Sequence, residues 1–275
     1  MRPTLLAATL LTAALASPLA CGAELDLIEL EQALAASTLT AELKGFTAAL
    51  SDGVEEALWH LEENGKALHP SLGARLLTTP ASIHEERLAD GSLRDQMEAR
   101  LRIQHRDALA QWLSSDLAMQ IREAKRIGPV FSSGPAAPSS RDRLREDPKF
   151  ESQLEAIREK DGSLDFDVVQ RRASMMATAV VRFVVENGSS GLDLRRLDQA
   201  TSRLEGRIEA QMRAQQPLAS ADAFRELEES ELDRYLEHLE SPARERLTSA
   251  HLAYMRELES EALTAIARHL RAAGY

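Results

Sequence analysis

The stretch YLEHLESPARERL, Tyr235–Leu247, reads as the end of one helix, a break and the start of another. Ser241 is a good N-cap, because its hydroxyl can accept a bond from a free amide of the following turn. Pro242 fits the first helical position, where its missing N–H costs nothing. Working outward, the same pattern occurs earlier as LAQWLSSDLAMQI, Leu109–Ile121, at a shift of 126 residues. Tyr235 then matches Leu109, His238 matches Trp112, Leu239 matches Leu113, Ser241 matches Ser115 and Leu247 matches Ile121. Asp116 stands where Pro242 stands, and an acid suits the positive end of a helix.

The two segments resemble the helix–Ser-Pro–helix signature of an exported bacterial family, the domain of unknown function numbered 2059. The signature runs aromatic, apolar, small polar, Ser-Pro, then Gly, and Tyr235, Leu239, Ser241 and Pro242 fit it. Arg244 and Ala118 stand where the family has Gly, and Asp116 departs from Pro. The resemblance implies an all-helical, exported protein. It carries no catalytic or binding residue over to this chain.

A second motif repeats with nearly the same shift. Glu63-Asn64-Gly65 and Glu186-Asn187-Gly188 each follow an apolar helical pattern, 123 residues apart. Asn and Gly tolerate the left-handed conformation that ends a helix. The order helix, ENG stop, long helix, Ser break, helix thus occurs twice, which is the pattern of an internal duplication. The most apolar of these helices is Phe166–Glu186. Its polar residues Asp167, Arg171, Ser174, Thr178, Arg182 and Glu186 recur three or four apart, forming one solvated stripe on a helix. Its β-branched residues keep a strand open as the alternative.

The remaining punctuation divides the chain. Leu5–Ala16 is an apolar run of signal-core length behind Arg2, so residues 1–23 read as a signal peptide cleaved after Ala23. Cys21 offers an alternative, lipid attachment, although Pro18 stands where a lipoprotein signal wants an aliphatic residue. Residues 24–131 form the first helical half, beginning with an amphipathic helix over 24–36. Within it Ser51 and Asp52 are expected to separate two helices, His69-Pro70-Ser71 to be a connection, and Thr79-Pro80 to start another helix. Residues 132–147, opening with SSGPAAPSS, read as a Pro/Ser/Gly-rich linker. Residues 148–275 form the second half. The expected fold is all-α, a helical bundle or array of two similar halves.

Composition agrees, being rich in helix formers and poor in aromatics. A formal charge of −11 disfavours nucleic acid and anionic membrane surfaces as partners. No span beyond the signal is long and apolar enough to cross a membrane. One cysteine leaves the mature chain no internal disulfide and no cysteine metal site.

A search for chemistry finds little. His84-Glu85 lacks the second histidine of a zinc protease, since Leu88 occupies that place. His60 and His251 lack the glutamate of a di-iron pair. His251 is expected near Glu240 or Glu245. No G-x-S-x-G elbow or glycine-rich phosphate loop occurs. No cofactor and no catalytic residue are expected. Trp59 and Trp112 sit at the edges of apolar stripes, where core packing is the ordinary role. Trp112 and Tyr235 precede the two breaks and are the candidate walls of a partner groove, since aromatics concentrate at interaction hot spots. The expected function is a non-catalytic, exported interaction module of the bacterial envelope, located in the periplasm and taking an unknown protein or peptide. The alternatives are a periplasmic enzyme with an unrecognised acid–base site and an envelope lipoprotein anchored through Cys21.

Overall fold

The computed structural model describes residues 38–91, 95, 99–127, 138–215 and 219–275. The expected signal segment with Cys21 and Ala23, the helix expected over 24–36 and residues 132–137 of the expected linker lie outside the described residues. Among the described residues the chain is all-α. The helices are α1 (Thr38–Glu63), α2 (Pro70–Ala89), α3 (Ile103–Leu113), α4 (Asp116–Ile127), α5 (Pro138–Glu146) and α6 (Pro148–Lys160). They continue with α7 (Ser163–Asn187), α8 (Leu194–Gln215), α9 (Ala219–Phe224), α10 (Glu229–Leu239) and α11 (Pro242–Ala272). Phe166–Glu186 therefore lies wholly in a helix, which removes the strand alternative.

Two helices expected to be separate are one. α1 runs unbroken through Ser51 and Asp52. The Ser51 hydroxyl bonds the Thr47 carbonyl 3.2 Å away in its own helix and the Leu77 carbonyl of α2 at 2.9 Å. A residue able to cap a helix here ties two helices together instead. Likewise α2 begins at Pro70, capped by His69, and Pro80 lies inside it. The Thr79 hydroxyl bonds the Arg75 carbonyl at 2.8 Å in the turn where proline interrupts the amide ladder. The second part of the linker is also helical: Pro138–Glu146 forms α5, with Leu144 at the edge of a core.

The close pairing of α1 and α7 organises the larger core. Gly45, Ala49, Gly53 and Ala57 recur every four residues on α1, a row small enough for another backbone to approach. Gln170, Ser174 and Thr178 of α7 meet that row. Gln170 Nε2 donates to the Glu42 carbonyl at 3.3 Å, and Thr178 Oγ1 donates to the Gly53 carbonyl at 2.9 Å. A methyl group at Gly53 would overlap the Ser174 carbonyl, so glycine is required by space rather than by backbone angle. Thus Ser174 and Thr178, expected on a solvated stripe, face α1. Ser174 is buried, whereas Arg171 and Arg182 are exposed.

The buried residues of these two helices share one spacing. Leu43, Phe46, Leu50, Val54, Ala57 and Leu61 on α1 correspond to Phe166, Val169, Ala173, Ala177, Val180 and Val184 on α7, all buried. Both helices end in Asn-Gly, with Gly65 at φ 70° and Gly188 at φ 78°. Each asparagine side chain donates to the carbonyl four residues back, His60 or Phe183.

α11 completes this core, bringing Leu247, Tyr254, Leu258 and Ile266 against α1, α2, α3 and α7. A second core gathers Leu117, Ile121, Phe150, Leu154, Phe224, Leu232, Tyr235 and Leu239 from α4, α6, α9 and α10. Each core draws on helices from both sides of residues 132–147. Among the described residues, no helix is long and apolar enough to cross a membrane.

Candidate functional site

The residues singled out around the two breaks come together. Ser241 Oγ accepts the Arg244 amide, and Ser115 Oγ accepts the Ala118 amide, both at 3.2 Å. Pro242 occupies the first turn of α11. Trp112 stacks on His238 with ring centroids 4.0 Å apart and planes within 7°, and on Tyr235 at 6.0 Å and 10°. Tyr235 is buried in the second core and Trp112 is half-buried against it. The aromatic pair proposed for a groove wall is thus packed ring on ring. His238 sits in this stack, and burial, reinforced by Arg244, lowers its pKa to about 3. Trp59, in contrast, is 54% exposed on α1 and touches His60. It is surface, not core, because the inward row of α1 is carried by Val54, Ala57 and Leu61.

His251 lies 3.9 Å from Glu42 on α1, with its ring edge-on to Phe166. Of the expected neighbours, Glu240 ends α10 before the break and Glu245 stands in the first turn of α11. Burial, with smaller contributions from Arg244 and His84, lowers the His251 pKa to about 3, so its ring is neutral.

The strongest concentration of charge lies elsewhere, in a cleft of about 440 Å³ between α7, α8 and α11. Arg172 projects from the apolar side of α7 and is almost fully buried. Its guanidinium meets three carboxylates. Nη2 pairs with Asp198, Nε lies 3.2 Å from Glu205, and Nη1 lies 3.0 Å from Glu259. Asp198 and Glu205 stand two turns apart on one face of α8, and Glu259 comes from α11. Glu259 is 3% exposed, and its Oε1 has no hydrogen-bond partner. Burial raises its pKa to about 7 despite the opposing pull of Arg172, because removing a carboxylate from water outweighs one ion pair. Met176, Leu194 and Leu263 supply apolar wall, Ser202 and Ser260 hydroxyls, and Arg195 and Arg256 line the exposed rim.

Sequence reasoning passed over Arg172 and Glu259. The signal was present: Arg171 and Arg172 are adjacent, so both cannot lie on one polar stripe. Glu259 occupies the row Met255, Glu259, Leu263, which is otherwise apolar. Among the described residues no three His, Cys, Asp or Glu side chains are grouped as a metal site. No family model matches the chain, and comparison with curated proteins and with solved structures gives no match.

Proposed function

We propose that this chain is an exported, periplasmic helical protein of the bacterial envelope that captures a protein or peptide without chemical turnover. The observation that carries the reading is the cleft between α7, α8 and α11. It combines apolar wall, hydroxyls and a buried carboxylate oxygen with no partner, the mixture that orients a bound segment. Its three carboxylates all converge on Arg172, so they are arranged to hold one cation rather than to flank a scissile bond. The edge that Trp112 leaves open beside His238 is the part of the earlier groove still within a partner's reach.

The proposal includes two similar halves and membership of the domain-of-unknown-function family 2059. The matched buried rows of α1 and α7 support duplication, as does the stack of Trp112 on His238, which are equivalent positions of the Ser-break repeat. Equivalent residues meet face to face where a twofold axis passes between copies.

The test is a photo-reactive amino acid at Ser202, activated in intact cells, followed by identification of the captured species. A single envelope protein is expected, together with release of the chain by osmotic shock. Crosslinks to nothing, or retention in the cytoplasm, overturns the reading. Fatty-acid labelling of the chain would replace the soluble form by the Cys21-anchored one.

A second reading, a periplasmic enzyme using Glu259 as acid or base, is favoured by that group's pKa near neutrality. Glu259→Gln abolishing a hydrolytic activity of the purified protein would select it.

A further inference from the structure

We infer that the inner end of the α7–α8–α11 cleft is a receptor for one cationic group on an aliphatic stem, an ammonium or a guanidinium. This rests on the reading of the cleft as the partner site. Three carboxylates surround the Arg172 guanidinium: the buried Glu259, the partly exposed Glu205 and the half-exposed Asp198. Each of the guanidinium's three nitrogens already faces a carboxylate. An incoming anion would meet three repelling carboxylates around that guanidinium, even though its Nε makes no hydrogen bond. An incoming cation would find Glu259 Oε1, a buried acceptor with nothing bonded to it.

The walls suit the stem of such a ligand. Met176, Leu194 and Leu263 offer apolar surface of the kind that lysine and arginine side chains lie along while their charged ends reach further. Arg195 and Arg256 are exposed at the rim, where water and salt screen them. They set a limit on the ligand: its cation must pass them and reach the inner end, so a compact charge on a long stem is preferred.

Binding is coupled to a proton. The charged groups facing Glu259 are Arg172 from α7, Asp198 and Glu205 from α8, and Arg256 from its own helix. A cation seated on Oε1 favours the ionised form, so the Glu259 proton is released to solvent as the ligand enters. Affinity therefore rises with pH through neutrality, by roughly tenfold between pH 6 and pH 8.

The same cation could come from a basic side chain of a peptide or from a free polyamine, and the test separates the two. Isothermal titration of the whole protein is run with N-acetylarginine amide, with agmatine, and with N-acetylcitrulline amide, which keeps the shape but not the charge. Each is measured at pH 6 and pH 8 in two buffers of different ionisation heat. The expected result is binding of the charged compounds only, tighter at pH 8, with about one proton released at pH 6 and almost none at pH 8. Preference for the amide identifies a peptide side chain, and preference for agmatine a free amine. Glu259→Gln should lose about tenfold in affinity at pH 8 and all pH dependence. Ser202→Trp should block the cleft without touching the ion cluster, and Glu237→Gln, an exposed acid elsewhere, should change nothing. Equal binding of citrulline, no binding of either cation, or equal losses in Glu237→Gln overturns the inference. A partner crosslinked at Ser202 without cation binding sinks the receptor alone. Cation binding with no partner in cells sinks the capture reading and leaves the receptor.

Discussion

Helices α1 and α7 bury residues at the same spacing, end in the same Asn-Gly pair and lie against one another, but their charges differ. Where α7 carries Arg172 into the interior, the matching place on α1 is held by Ala49. Ala49 belongs to the small-residue row that lets the two backbones approach. Arg172 points away from that contact, toward α8 and α11, and assembles the carboxylate cluster. The shared rows therefore make the frame, and one departure from them makes the site.

The comparison is tested hardest in the shared rows. Ala57→Asp and Val180→Asp should each unfold the protein, because both sites are fully buried and an unpaired interior charge costs several kcal/mol. Melting followed by circular dichroism measures this. If only the α7 variant unfolds, the two helices are not equivalent parts of one core.

The departure itself predicts a pH dependence. A rise in the Glu259 pKa from 4.5 to about 7 means that the folded state holds its proton more tightly than the unfolded chain. The stability tied to that proton is fully present below about pH 4.5 and is lost as pH rises through 7. Glu259→Gln should match the wild type at about pH 4 and below and exceed it by roughly 3 kcal/mol at pH 8. His238 and His251 act in the opposite direction. Their pKa values fall from 6.5 to about 3, so their contribution is present above 6.5 and lost as pH falls toward 3. Denaturant titrations across pH 4–9 report both limbs, and a Glu259→Gln variant less stable than wild type at pH 8 would show that the ion pair outweighs burial.

At the backbone contact, Gly53→Ala should cost about 1–3 kcal/mol, since its methyl group meets the Ser174 carbonyl and a helix must move. An unchanged denaturation midpoint would mean that the α1–α7 crossing is looser than described. The smallest effects belong to the two breaks. Ser241→Ala and Ser115→Ala should each cost about 1 kcal/mol, the usual value of a lost N-cap. Their hydrogen bonds have the same length, so a clear difference between the two would separate the breaks chemically.

The helical class and the helix ends at Gly65, Gly188 and Ser241 were legible because local residues signal them through capping and backbone preference. Ser51-Asp52 misled for the same reason. A capping residue permits a break, but Ser51 is held in a continuous helix while its hydroxyl reaches Leu77 in α2. Thr178 looked solvated because the hydrophobic period records side chains, whereas its partner is the Gly53 carbonyl. The cleft was illegible as a unit, since Arg172, Asp198 and Glu259 lie on three helices whose pairing no local pattern encodes. Arg172 alone could have been read as a buried charge seeking partners.

The interleaving of the two cores has a consequence for how the chain is made. α1 leaves the ribosome well before two of its neighbours in the larger core, α7 and α11. No stretch that stops before α11 holds a complete version of that core. The apolar row of α1 must wait until α11 has emerged, a long-range closure that slows folding and leaves a nascent chain in need of protection. A chain cut before Pro242 should consequently be a substrate for proteolysis rather than a smaller folded domain.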